Sequence, residues 1–165
     1  MRPVFSPDVH TLYLDNSVIG GYFDEPWQRV PTQALWHHME CGGCRFVVSE
    51  VTAQEILPCR DFPRVAHVWE FFKAQFRPED HLPLTDEAKA LAAHYLHCIT
   101  SLKAGRDERD AQHIAICTLA GIGFLLSWNF HHLDNREALN EINRLHGLPE
   151  ICILTPKDYL YETIN

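Results

Sequence analysis

A chain of 165 residues with 46% apolar and 22% charged residues has the balance of one compact domain, residues 1–165, with a full core. Its formal net charge of −8 excludes a protein that grips nucleic acid over its whole surface. No apolar run approaches the ~18 residues needed to cross a bilayer, and the opening "MRPVFSPDVH" lacks the apolar core of a signal peptide, so a cytoplasmic protein without a membrane is expected.

The first element is a short apolar strand, Thr11 to Leu14, which ends abruptly in Asp15. A short helix over Val18 to Phe23 follows. "PTQALWHHMECGG" reads as a helix with Pro31 near its start and Gly42-Gly43 stopping it. "RFVVS" is a second strand, Arg45 to Ser49. Ser49 then caps a helix carrying "EVTAQEIL", which ends at Pro58. Apolar residues crowd Val65 to Phe76, another helix. Thr85 caps a further one, with Asp86 and Glu87 favouring its positive end.

Asp110 to Gly121 shows apolar residues at helical spacing on more than one face, so that helix is expected to be largely buried, with Asp110 opening it. "FLLSW" is a third strand. "NFHHLDN" reads as a solvated polar turn in which His131 and His132 could touch phosphate. A helix from Arg136 to His146, a strand "ICIL" and a last helix capped by Thr155 with Pro156 first complete the chain. The strands are short and apolar without alternation, the pattern of strands covered on both faces. Helices between them supply the crossovers, giving an α/β fold of three layers, α/β/α, with a mainly parallel sheet of four to five strands.

Ligands in such sheets sit beyond the carboxyl ends of the strands. Asp15 ends the first strand, Ser49 leads into a helix bearing Glu50 and Glu55, Asn129 follows the third strand, and Asp110 starts the helix that feeds it. Taken singly, Asp15 fits a turn and Asp110 fits a helix cap. Together they are carboxylates that repel unless a cation neutralises them, and Mg²⁺ or Mn²⁺ suits carboxylate, amide and water. On that reasoning Asp15→Asn or Asp110→Asn should relieve repulsion in the metal-free chain. Glu50 sits in a first helical turn, where a glutamate favours the helix dipole; Glu55 shares a row with Val51 at the edge of the packed side, and is taken as the functional one. Ser17 has two readings, a cap for the short helix or a contact to an outer water or phosphate.

"YLDNSVIGGYFD", "VVSEVTAQEIL", "DAQHIAICTLAGIGFLLSWNFHHLDN" and "INRLHGLPEICILTPKDYL" together resemble the PIN-domain family, specifically its VapC-like toxin ribonucleases, over residues 13 to 160. The resemblance implies a Mg²⁺- or Mn²⁺-dependent endoribonuclease that leaves 5′-phosphate and 3′-hydroxyl ends. Its first acid falls on Asp15, its second on Glu55 and its third on Asp110, all three as metal-binding and catalytic residues. Asn129 stands where the family has a fourth acid and brings one charge fewer. The implied partners are an RNA substrate, a cognate antitoxin protein and a second copy of the chain.

Two other classes remain beside it. "HHMECGGC" places Cys41 and Cys44 two residues apart with His37 and His38 nearby, a spacing seen in redox pairs and zinc sites, though here at a helix end rather than a helix start. A non-catalytic RNA- or protein-binding module on the same fold is the other.

Overall fold

The computed structural model describes residues 9–164; residues 1–8, on which most of the leader reading falls, and residue 165 lie outside it. Among the described residues, β1 (His10–Leu14), α1 (Asn16–Gly21), α2 (Pro26–Glu40), β2 (Cys44–Ser49) and α3 (Glu50–Ile56) come first. A 3-10 turn over Leu57–Asp61, α4 (Ala66–Gln75), a second such turn over Pro78–Asp80 and β3 (His81–Leu82) follow. Then come α5 (Asp86–Cys98), α6 (Glu108–Leu119), β4 (Phe124–Leu126), α7 (Phe130–Asp134), α8 (Arg136–Leu145), β5 (Cys152–Leu154) and α9 (Pro156–Ile164).

Every strand pair is parallel, and the order across the sheet is β3-β2-β1-β4-β5. The chain builds outward from β1 to one edge, then crosses to β4 on the other side of β1. That reversal opens a crevice beyond the carboxyl ends of β1 and β4, where parallel sheets bind ligands.

Each strand sends alternate side chains to two separate cores. Tyr13, Val47, Leu125 and Ile153 face a core completed by Ala92 and Tyr95 of α5, Ile114 of α6 and Leu139 of α8. Leu12, Leu14, Phe46, Val48, Leu126 and Leu154 face the other, completed by Val18 and Ile19 of α1, Trp36 of α2, Phe72 of α4 and Tyr159 of α9. The three layers are therefore α/β/α around a parallel sheet of five strands.

Several boundaries differ from the sequence reading, each for a local reason. Pro31 lies inside α2, because Pro26 occupies the first helical position, where a missing N–H costs nothing. β3 is only two residues long and carries no periodicity to detect. α6 begins at Glu108, so Asp110 is its third residue and Asp107 its N-cap. The segment read as a solvated turn is the helix α7.

Gly21 marks a close approach. A Cβ there would stand 2.8 Å from Nε1 and 2.9 Å from Cδ1 of Trp128, whose indole N–H donates to Thr32 Oγ1 at 3.0 Å. Trp128 is buried, so it has little room to yield. Gly21→Ala should cost about 1–3 kcal/mol through overpacking, read as a lowered urea midpoint with an unchanged slope; an unchanged midpoint would show that the indole moves freely.

Candidate functional site

Asp15 follows the last residue of β1 and is only 2% exposed. It is the N-cap of α1: its Oδ1 accepts from Val18 N at 3.3 Å and from Ser17 Oγ at 2.5 Å. Ser127, just beyond β4, donates from Oγ to Asp15 Oδ2 at 2.5 Å and accepts from Asn129 N at 2.9 Å. Ser17 Oγ also accepts from Trp128 N at 2.9 Å. Ser17 is thus neither the cap nor a group left facing solvent; it ties the carboxylate to the segment after β4.

Asp110 makes no capping bond. Its Oδ2 accepts from Asn129 Nδ2 at 3.1 Å, and its Oδ1 lies 3.2 Å from His132 Nε2. The other nitrogen of the same ring, His132 Nδ1, lies 3.7 Å from Asp15 Oδ2. One imidazole therefore stands between two carboxylates that are 95 positions apart in the chain. His132 is 2% exposed, and its ring is held between the two acids by these contacts, the nearer one at 3.2 Å to Asp110. Burial would push the Asp110 carboxyl up, but His132 beside it and then His113 override that and hold it below the usual carboxylate range. Burial likewise opposes a charge on His132, and Asp110, Asp15 and Glu55 together outweigh it and raise the imidazole above its ordinary value.

Glu55, the sixth residue of α3, belongs to a second arm. Its Oε1 meets His113 Nε2 at 2.5 Å, and His113 Nδ1 lies 2.5 Å from the Tyr13 hydroxyl, which donates to Ser49 Oγ at 2.7 Å. His113 sits one turn after Asp110 on α6, so that helix carries one end of each arm. Glu55 touches neither Asp15 nor Asp110 among the contacts of the described residues, but its charge is felt at His132. Glu50 turns away, its Oε2 accepting from Leu84 N at 2.8 Å. It anchors the loop before α5 and has no part in this cluster.

The structure brings Asp15, Asp110 and Asn129 into one cluster and sets Glu55 beside it. The residue that sequence reasoning passed over is His132. Its neighbours in "NFHHLDN" are mostly polar, which hid a buried position; the available signal was Leu133 and Leu139, partly buried and buried residues that mark an inward face of this region. The side chain of His131 lies outside the described residues.

The chain matches no family model and no curated protein. Its chemistry must therefore be read from its own residues.

The donor set here is carboxylate oxygen from Asp15 and Asp110 with an amide at Asn129, which fits a hard divalent cation. Among the described residues no group of three or more His, Cys, Asp or Glu side chains is placed to hold a metal ion. The imidazole of His132 occupies the middle of the acidic cluster and supplies what a cation would, a group that lies close to both carboxylates.

The repulsion expected between bare carboxylates is thereby offset, and the expected sign of one substitution reverses. Asp15 accepts from two hydroxyls and a backbone N–H, and an amide cannot accept from both hydroxyls at both of its termini. In chelator, Asp15→Asn should lose about 1–3 kcal/mol of stability, checked by chemical denaturation; a variant as stable as the wild type would show that repulsion, not hydrogen bonding, dominates at this carboxylate.

Cys41 and Cys44 are both free thiols in this fold and differ in exposure. Cys41 ends α2 and is exposed, Gly42 turns the chain with φ of +83°, and Cys44 starts β2 fully buried, its thiol pushed up to about 12 by burial. Cys41→Ser should change stability by less than about 0.5 kcal/mol, while Cys44→Ser should cost about 1–3 kcal/mol by burying a hydroxyl. Equal effects of the two substitutions, or bound zinc in the purified chain, would contradict that assignment.

Proposed function

We propose that the chain is a metal-dependent endoribonuclease that hydrolyses RNA phosphodiesters, the toxin of a toxin–antitoxin pair of the PIN-like kind. The observation that carries the reading is that Asp15 and Asp110 flank one buried ring by the crevice between β1 and β4, 3.7 Å from His132 Nδ1 and 3.2 Å from its Nε2. The resemblance of the four motifs adds the substrate class. No helix among the described residues is long and apolar enough to cross a membrane, which suits a partner set of RNA, an antitoxin protein and a second copy of the chain.

Asp15 and Asp110 are the residues that would hold a Mg²⁺ or Mn²⁺ ion, with Asn129 as a neutral neighbour. Such an ion supplies a water that ionises near neutral pH and offsets charge developing at the phosphate. Ser17 and Ser127 fix the plane of the Asp15 carboxylate through its two oxygens. Asn129 holds Asp110 from the β4 side by one bond, donated from its Nδ2 to Oδ2. Glu55, aligned by His113, is the remaining carboxylate of the group and serves either to bind the ion or to orient the attacking water. The Tyr13 hydroxyl stays protonated, since burial drives its ionisation far up, and so it anchors His113 as a fixed dipole.

The test is cleavage of a mixed RNA pool with mapped ends, with and without chelator. The folded wild type should cut with Mg²⁺ or Mn²⁺ and leave 5′-phosphates, and Asp110→Asn should lose roughly a hundredfold or more. Cutting that survives chelator, or that Asp110→Asn leaves intact, would remove this site from the reaction. Metal-loaded, folded wild type that binds RNA and never cuts it would favour the non-catalytic module.

A further inference from the structure

Large aromatic side chains that stand together on a surface call for a cause, because each forgoes the gain of burial. Trp27 and Phe130 are such a pair, each 55% exposed. They come from distant parts of the chain, Trp27 as the second residue of α2 and Phe130 as the first of α7. Their rings are close to parallel, at 16°, with centroids 6.4 Å apart. Since each keeps over half its surface, neither ring covers the other. The backing is firm on one side: Trp27 meets the buried Trp128 edge-on, at 5.5 Å and 82°, and Trp128 is bonded to Thr32 of α2. Phe130 follows Asn129, whose amide donates to Asp110, and stands two residues before His132. The pair therefore adjoins the acid cluster.

The spacing suits a third flat ring. Stacked bases repeat every ~3.4 Å, so a base between two parallel rings calls for centroids about 6.8 Å apart. The 6.4 Å here is short of that by a few tenths of an ångström, within the reach of two exposed side chains. Among the described residues the other stacked pair, Trp69 with Phe72 at 28°, lies three residues apart on one helix, where the backbone sets the angle. Protein aromatics pack on each other edge-on or offset, as Tyr22 does on Trp36 at 72° and Trp36 on Phe46 at 61°. A nucleobase instead offers two flat faces, and stacking on them tolerates any sequence. The near-parallel, half-exposed pair thus favours a base over a protein side chain.

We propose that Trp27 and Phe130 form a stacking slot for one unpaired base of a single-stranded RNA, beside the acid cluster. The inference rests on the ribonuclease reading given above and goes beyond it by restricting the substrate to single-stranded segments and naming the side chains that grip it. A base inside a duplex has both faces covered by its neighbours and enters such a slot only after it is unstacked. Binding in the slot uses ring faces alone and needs no metal, so it is separable from cutting.

The experiment is done on the full chain in chelator, which blocks metal-dependent cutting, with end-labelled probes of about eight nucleotides. The probes are a mixed-sequence single-stranded RNA, the same sequence as a duplex, and a ribose-phosphate oligomer that carries no bases; affinity is read by fluorescence anisotropy. Trp27→Leu and Phe130→Leu should each weaken binding of the single strand roughly fivefold or more. Both should bind the duplex and the base-free oligomer within about twofold of wild type, which isolates the ring–base contact. Trp27→Phe keeps an aromatic face and should stay within about threefold of wild type on the single strand. Melting curves of the variants guard against misfolding, and the wild type's preference for the single strand over the base-free oligomer is read without any variant. A wild type that binds and cuts the single strand, with Leu variants that bind it unchanged, would overturn the slot and leave the ribonuclease reading in place. Leu variants that keep RNA affinity but turn a dimer into a monomer in sedimentation would assign the rings to a second copy of the chain and overturn the slot as well. Binding that depends on both rings in a wild type that never cuts with Mg²⁺ or Mn²⁺ would keep the slot and overturn the nuclease, and a wild type that binds none of the probes would overturn the slot.

Discussion

An ionisable carboxylate removed from water at the end of a central strand is costly unless donors meet it on every side. Asp15 is in that position, and its donors come from separate segments. Val18 N and Ser17 arrive from α1, Ser127 arrives from beyond β4, and His132 faces it from α7. The link from Ser127 to Asp15 joins the two strands on either side of the crevice, and Trp128 N to Ser17 doubles it. The same bonds that make Asp15 tolerable therefore hold the crevice at a fixed width. Trp128 is held in turn by Thr32 of α2 and by the close approach of Gly21, so α2 supports the site without contributing a group to it.

The second arm follows from strand alternation. Leu12 and Leu14 face one core and Tyr13 the other. Tyr13 thereby reaches Ser49 at the end of β2 and His113 on α6, and His113 reaches Glu55 on α3. Because α6 presents Asp110 and His113 one turn apart, any shift of that helix along its axis would disturb both arms together. The helix is pinned at its start as well: Asp107 accepts from Lys103 N and from the Arg106 guanidinium, closing the loop that enters α6.

How much of this could be read from the chain depended on whether a signal was local. Strands whose apolar run ends in a polar residue, such as Leu12–Leu14 before Asp15, declare themselves, and so does the cap at Ser49, which bonds Val51 N and Thr52 N as its helix requires. The three-layer order followed from those strands and the helices between them. His132 was not legible, because its burial is imposed by residues distant in sequence. Two adjacent histidines among Asn, Asp and Asn are marked only by Leu133 beside them and Leu139 seven residues on, too little to distinguish a buried ring from a solvated one. Asp110 was placed correctly on its helix but given the wrong plain explanation: the cap is Asp107, and the two-residue error in the helix start arises because "SLKAGRDER" has no apolar period to show where the turn becomes helix.

A net charge of −8 is a poor match for a polyanion, yet charge acts where a ligand arrives. The acids of the cluster are withdrawn: Asp15 is buried, Asp110 faces His132 and Asn129, and Glu55 is bound to His113. The loop entering α6 instead carries Lys103 and Arg106 on the surface. Arg106 is fixed by Asp107 and lies close enough to Asp110 to feel its charge. On the nuclease reading, a phosphate approaching the crevice meets a guanidinium whose position is already set, beside carboxylates whose own charge is offset by an imidazole or an ion. A fixed cation loses little freedom on binding, whereas a loose lysine would have to be ordered first. On that reading the sign that would matter for RNA is set by the arrangement around Asp110, and the net negative charge of the chain would oppose non-specific coating of the molecule by nucleic acid.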